Sequence, residues 1–182
     1  MTEIATGSED LLDLDAWDKL EPIETKRLEL VDGIVVVSPR PALRHSGAIA
    51  RLIVLLSQAD ASALPETEII ISDTGPATVR VPDLVVARPD RPHPDPKRFH
   101  PGEILLAVEI VSPGSRRTDY VAKRYDYEQA GIGFYWILDP DQRRFSCLKL
   151  VDGRYQELPC GAGERVFTAE PIKIDFGWDE LT

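Results

Sequence analysis

The sequence predicts a single domain of mixed α and β structure, and three observations predict it. First, Asp32-Gly33 and Asp152-Gly153 each separate two short runs rich in β-branched and aliphatic residues. Asp-Gly supports the tight turn of a β-hairpin. Second, Ile104-Leu105-Leu106-Ala107-Val108-Glu109-Ile110-Val111 is an apolar run bounded by Pro101-Gly102 and Pro113-Gly114. That is how a central strand buried on both faces reads. Third, Ile49, Leu52 and Leu56 recur at helical spacing, with His45 on the same stripe. At 182 residues and 43% apolar composition, the chain can close a full core without disulfide or metal staples.

In chain order, residues 1–12 read as a disordered N-terminus and 13–182 as the one domain. Residues 13–20 read as a short helix anchored by Trp17 and stopped by Pro22. Strands at 27–31 and 34–37 form the first hairpin, which ends in the loop Ser38-Pro39-Arg40-Pro41. A helix over 43–59 follows, then strands at 67–72, 78–81 and 84–88. Residues 88–101 carry five prolines and two histidines and read as a solvated loop. His93 and His100 have no evident ligand partner there and define no metal site.

After the strand at 104–111, Ser112-Pro113-Gly114-Ser115 turns the chain into a helix over 118–130. Tyr120, Lys123, Tyr127 and Ala130 share one stripe of that helix. Val121, Ala122 and Tyr125 form a second, so the helix is expected to be sandwiched. Residues 134–138 are the next strand, its aromatic Phe134-Tyr135-Trp136 serving core packing or a dimer interface. A second hairpin, 145–151 with 154–158, and short strands near Val166 and 172–174 complete the order.

Charge and special segments narrow the function classes. The net charge of −10 argues against a general, sequence-independent binder of nucleic acid, which needs Lys and Arg against phosphates. The positive charge is uneven, however: Arg116, Arg117, Lys123 and Arg124 cluster after the Glu109 strand, with Arg40 and Arg44 earlier, as a candidate basic rim. Cys147 and Cys160 lack metal or redox spacing. No apolar run is long enough to cross a membrane, and the acidic N-terminus lacks the layout of a signal peptide. A cytoplasmic protein without membrane attachment is expected.

The chemistry concentrates in a few residues. Glu109 interrupts the most apolar strand of the chain, and Asp83 opens another in Val81-Pro82-Asp83-Leu84-Val85-Val86-Ala87. A buried ionised carboxylate is costly unless a cation or strong hydrogen bonds compensate it. Two carboxylates on core strands with a lysine just beyond are what a metal-dependent hydrolase needs. Pairing of Glu109 with an arginine, and of Lys123 with Asp119 in a surface bridge, are the structural alternatives. Glu29 alternates away from Leu28 and Leu30, and with His45 is a candidate for the site edge. Ser112 and Ser115 read as organisers of their turn, without a His–Asp partnership that would make either a nucleophile.

These pieces in their order resemble the Uma-two family, bacterial proteins classed with restriction endonucleases in the PD-(D/E)XK nuclease superfamily. The resemblance is carried by Glu29-Leu30-Val31-Asp32-Gly33, Ser38-Pro39, His45, Val81-Pro82-Asp83, Ala107-Val108-Glu109-Ile110-Val111-Ser112-Pro113-Gly114-Ser115, Asp119, Lys123, and Gly131 through Tyr135-Trp136 to Asp139-Pro140. It implies a restriction-endonuclease-like α/β fold, a mixed core sheet flanked by helices with the hairpin at its N-terminal side. It also implies DNA as substrate and a Mg²⁺ site, with Mn²⁺ as substitute. Asp83 and Glu109 match the acidic residues of the motif, and the carbonyl of Ile110 would complete the ligands. The superfamily's lysine normally lies two residues after the second acid, where this chain has Val111. In the family, as here, Lys123 on the following helix stands in for it. An endonuclease acting as a homodimer is the expectation. A degenerate module that binds nucleic acid or protein, a hydrolase of small phosphorylated substrates and a purely structural oligomer are the rivals.

Overall fold

The computed structural model describes residues 11–23, 25–39, 42–90, 97–161 and 163–181, and the backbone of 2–3. Asp13 accepts a hydrogen bond from the Ala16 N–H and caps α1 (Leu14–Trp17). The helix is shorter than the expected 13–20. Asp32 and Gly33 both take positive φ, +49° and +78°, as a type I′ turn requires, and join β2 (Lys26–Val31) to β3 (Ile34–Pro39). Of the N-terminal stretch expected to be disordered, β1 (Thr2–Glu3) runs antiparallel to β3 and the Leu12 N–H donates to the Gly33 carbonyl. Residues 4–10 lie outside the described residues, as do Arg40, Pro41 and His93.

The first sheet has the order β1-β3-β2-β6-β5-β8, where β5 is Glu68–Ser72, β6 is Thr78–Arg80 and β8 is Arg98–Phe99. The last of these corrects the solvated loop expected over 88–101. Arg98 and Phe99 are buried and pair in parallel with Glu68 and Ile69.

The second sheet has the order β12-β11-β10-β9-β7-β4. Its members are β4 (Ala63–Pro65), β7 (Leu84–Ala87), β9 (Ile104–Ile110), β10 (Phe134–Asp139), β11 (Arg144–Val151) and β12 (Arg154–Glu157). The sheet is mixed: β9 runs parallel to β10 and antiparallel to β7. A separate hairpin of β13 (Arg165–Thr168) and β14 (Ile174–Gly177) packs its Val166, Ile174 and Phe176 into the core beside it.

Strand periodicity splits the core into two layers. Leu106, Val108 and Ile110 of β9 join Leu84, Trp136 and Leu138 against α2 (Leu43–Gln58), which contributes Ala48, Ile49, Leu52 and Leu56. The alternate residues, Ala107 and Val111, join Val85, Tyr135 and Ile137 on the other side, against α3 (Arg124–Ala130) and the first sheet. Each fully buried aliphatic side chain contributes roughly 1.5–3 kcal/mol. An uncompensated buried ion costs several kcal/mol, more than any one neighbour returns. Glu109, 2% exposed on this strand, therefore requires built-in compensation.

α3 is entered through a π-helical turn, Thr118–Lys123. The segment buries one face rather than two, which corrects the sandwiched helix expected. Asp119, Lys123 and Tyr127 point inward, while Val121 and Tyr125 are 62% and 61% exposed. No described helix is long and apolar enough to cross a membrane.

Candidate active site

Asp83 precedes β7, and the antiparallel register of β7 on β9 sets it beside the last residues of β9. There one carboxylate oxygen accepts the Ile110 N–H at 2.8 Å. The other accepts Arg27 Nη1 at 2.9 Å. His45 Nε2 lies 3.1 Å from Oδ2, within ion-pair distance but without an aligned hydrogen bond. Burial pushes Asp83 upward, yet His45, Arg27 and Lys123 outweigh it and hold the carboxyl at about 2.

Glu109 receives two donors on Oε1, Lys123 Nζ at 2.8 Å and the Tyr127 hydroxyl at 3.1 Å. Lys123 and Tyr127 are four residues apart, so one helical face carries both. Lys123 does not form the surface bridge with Asp119 that its spacing allowed. It is buried, with Glu29 at 3.2 Å as its second partner, and so is not part of a basic rim. Arg116 is also engaged, clamping Asp139 through two hydrogen bonds.

Glu29 is buried at the heart of the cluster, accepting the Val81 N–H at 2.9 Å and Arg80 Nη1 at 3.1 Å. Burial opposes its ionisation, but Lys123, Arg80 and the Val81 N–H outweigh burial and hold its carboxyl below the usual carboxylate range. Sequence reasoning passed over Arg27 and Arg80. Arg27 was within reach, because it lies two residues before Glu29 on β2 and a strand sends both to one face. Ser112 and Ser115 hold the turn: the Ser112 N–H and hydroxyl both lie 3.0 Å from Ser115 Oγ.

Glu29, Asp83, Glu109 and Asp119 line one cavity of about 520 Å³, together with Arg27, His45 and Lys123. Burial disfavours the Lys123 ammonium, but the four carboxylates around it outweigh burial and keep it protonated. They also disfavour one another. Burial first, then Asp83 and Asp119, pushes Glu109 well above the carboxylate range against the pull of Lys123. Burial, with Asp83 and Glu29 adding, raises Asp119 to about 6. Asp119 Oδ2 is buried without a hydrogen-bond partner.

This donor chemistry fits a hard divalent cation. Among the described residues no three His, Cys, Asp or Glu side chains are grouped as a metal cage. Mg²⁺ does not need one, since it takes one or two carboxylates and keeps several waters. Asp83 and Glu109 offer carboxylate oxygens to a cavity that Ile110 also lines, and the surplus negative charge is of the sign such an ion neutralises.

The mixed sheet, with α2 on one face and α3 on the other, is a restriction-endonuclease-like α/β fold. The crystal structure of a putative nuclease belonging to DUF820 from Anabaena variabilis superposes with a TM-score of 0.68. It is 19% identical, and the match covers 93% of this chain and 97% of that one. The family profile of Uma2, described as "Putative restriction endonuclease", matches residues 12–178, and the chain belongs to that family. No curated protein matches.

Proposed function

We propose that the protein is a DNA endonuclease that hydrolyses phosphodiester bonds with a divalent cation, Mg²⁺ or Mn²⁺, held by Asp83, Glu109 and the Ile110 carbonyl. The observation that carries this reading is the convergence of Asp83, Glu109 and Lys123 on one cavity from distant parts of the chain. When bound, the cation would polarise a phosphoryl oxygen and lower the pKa of a coordinated water.

The protein's own groups have separable tasks. Lys123, fixed by Glu109 and Glu29, presents a permanent positive charge to a non-bridging phosphate oxygen or to the attacking water. Tyr127 orients Glu109, and Arg27 and His45 keep Asp83 ionised and in place. Glu29 serves as an accessory carboxylate through its grip on Lys123 and Arg80. The same reading takes residues 13–182 as one domain of a cytoplasmic protein. It also takes the protein to act as a homodimer.

One observation favours a second reading, a degenerate module that binds without cutting. Both oxygens of Asp83 already have donors, and Val111 occupies the usual lysine position. Calorimetry of Mg²⁺ and Mn²⁺ binding by wild type, Asp83→Ala and Glu109→Ala, with cleavage of plasmid and circular single-stranded DNA, separates the two. Binding and cleavage abolished together in both variants support the nuclease. Absence of cation binding by the wild type sinks it and leaves the binding module.

A further inference from the structure

We infer that the substrate strand enters this site unpaired, as a single-stranded segment, an end or an extruded nucleotide, rather than within an intact duplex. The inference rests on the nuclease reading and deepens it.

Its basis is depth. Asp83, Glu109 and Lys123 are 1%, 2% and 4% exposed, so a scissile phosphate reaches them only by entering the cavity. That cavity, about 520 Å³, is lined by residues of the β2–β3 hairpin, the start of α2, the Ser112–Ser115 turn and Leu181. Its volume is that of a pocket for a small ligand. A base-paired backbone is carried on a rigid rod with grooves about 12 and 6 Å wide, and cannot follow one phosphate into such a pocket. A flexible strand can, as in enzymes that draw a nucleotide out of the stack.

The mouth suits that entry. Arg44 on α2 lies 3.6 Å from Asp141 after β10, both residues line the cavity, and both are exposed. Such a pair holds weakly and yields readily to a phosphate. Arg44 pairs with Asp141 and with none of Glu29, Asp83, Glu109 and Asp119, so it can be changed without disturbing the catalytic cluster.

The test compares one oligonucleotide sequence as a single strand, as a blunt duplex and as a duplex with a central unpaired stretch. Binding is read by fluorescence anisotropy in EDTA and cleavage with Mn²⁺. The single strand and the unpaired stretch should bind about tenfold tighter than the duplex and be cut at unpaired positions. Arg44→Ala should reduce that preference about threefold, with circular dichroism unchanged. Duplex bound or cut as well as the single strand overturns the inference and leaves the nuclease reading standing. Selective single-strand binding without cleavage supports the unpaired-strand inference and removes the nuclease reading. No binding to any form overturns the inference.

Discussion

Lys123 Nζ lies 2.8 Å from Glu109 Oε1 although the two residues are fourteen apart in sequence. A lysine two residues after the acid would lie on the same strand face. Here that position is Val111, buried in the core, and the π-helical turn delivers the ammonium from a helix instead. π turns inside helices are frequent at functional sites.

Lys123→Met should destabilise the fold by about 1–3 kcal/mol in urea denaturation, because it removes the donor that Glu109 and Glu29 share in the interior. Adding Glu109→Gln should recover part of that loss. A coupling energy near zero in the double-mutant cycle would deny the pair.

Tyr127→Phe removes only a hydroxyl donor from Glu109 while keeping the ring edge-on to Tyr135 at 5.1 Å. A loss of about 1–2 kcal/mol in stability is expected. Calorimetry should also show weaker Mn²⁺ binding, which a purely structural ring would not produce.

Asp83 and Asp119 give opposite pH dependences in metal-free buffer. Asp83 is depressed from 3.8 to about 2, so its contribution of about 2 kcal/mol is complete above pH 4 and lost as pH falls through 2. Asp119 is raised from 3.8 to about 6, so the native state binds the extra proton between those values. Its ionisation therefore removes about 3 kcal/mol as pH rises from 4 to 6. Asp119→Asn should abolish that decline and be more stable than wild type, relatively, at pH 7 than at pH 4. A parallel pair of stability–pH curves would contradict the burial of a titrating carboxyl.

Cation binding should add stability by mass action, about 2.7 kcal/mol at a hundredfold excess over Kd. Thermal unfolding with and without EDTA measures it. Asp83→Ala and Glu109→Ala should each lose the increment.

Gly33→Ala should cost at least about 1 kcal/mol, since φ is +78° and an added Cβ would meet Leu11 Cβ at 2.7 Å and Leu12 N at 2.9 Å. Denaturation midpoints check it. A neutral result would detach Leu11 and Leu12 from the hairpin.

Much of this protein was legible in the chain because the signals are local. Asp-Gly turns, the unbroken run of β9 and the stripe of α2 each follow from residues within reach of one another. The anomaly of a carboxylate in an apolar strand likewise marked Glu109 before any contact was known. Other features had no local signature. The burial of Arg98 and Phe99 depends on an open edge of β5 supplied from elsewhere in the chain. Val121 and Tyr125 lie on the face of the helix opposite Lys123, and a helical period does not say whether such a face is covered by another element. Which cation answers which acid was decided by the tertiary structure alone. Lys123 chose Glu109 and Glu29 over the nearer Asp119, and Arg27 and His45 met at Asp83. In a low-dielectric interior such partners are selected by distance in space, and the packing of the two sheets sets that distance.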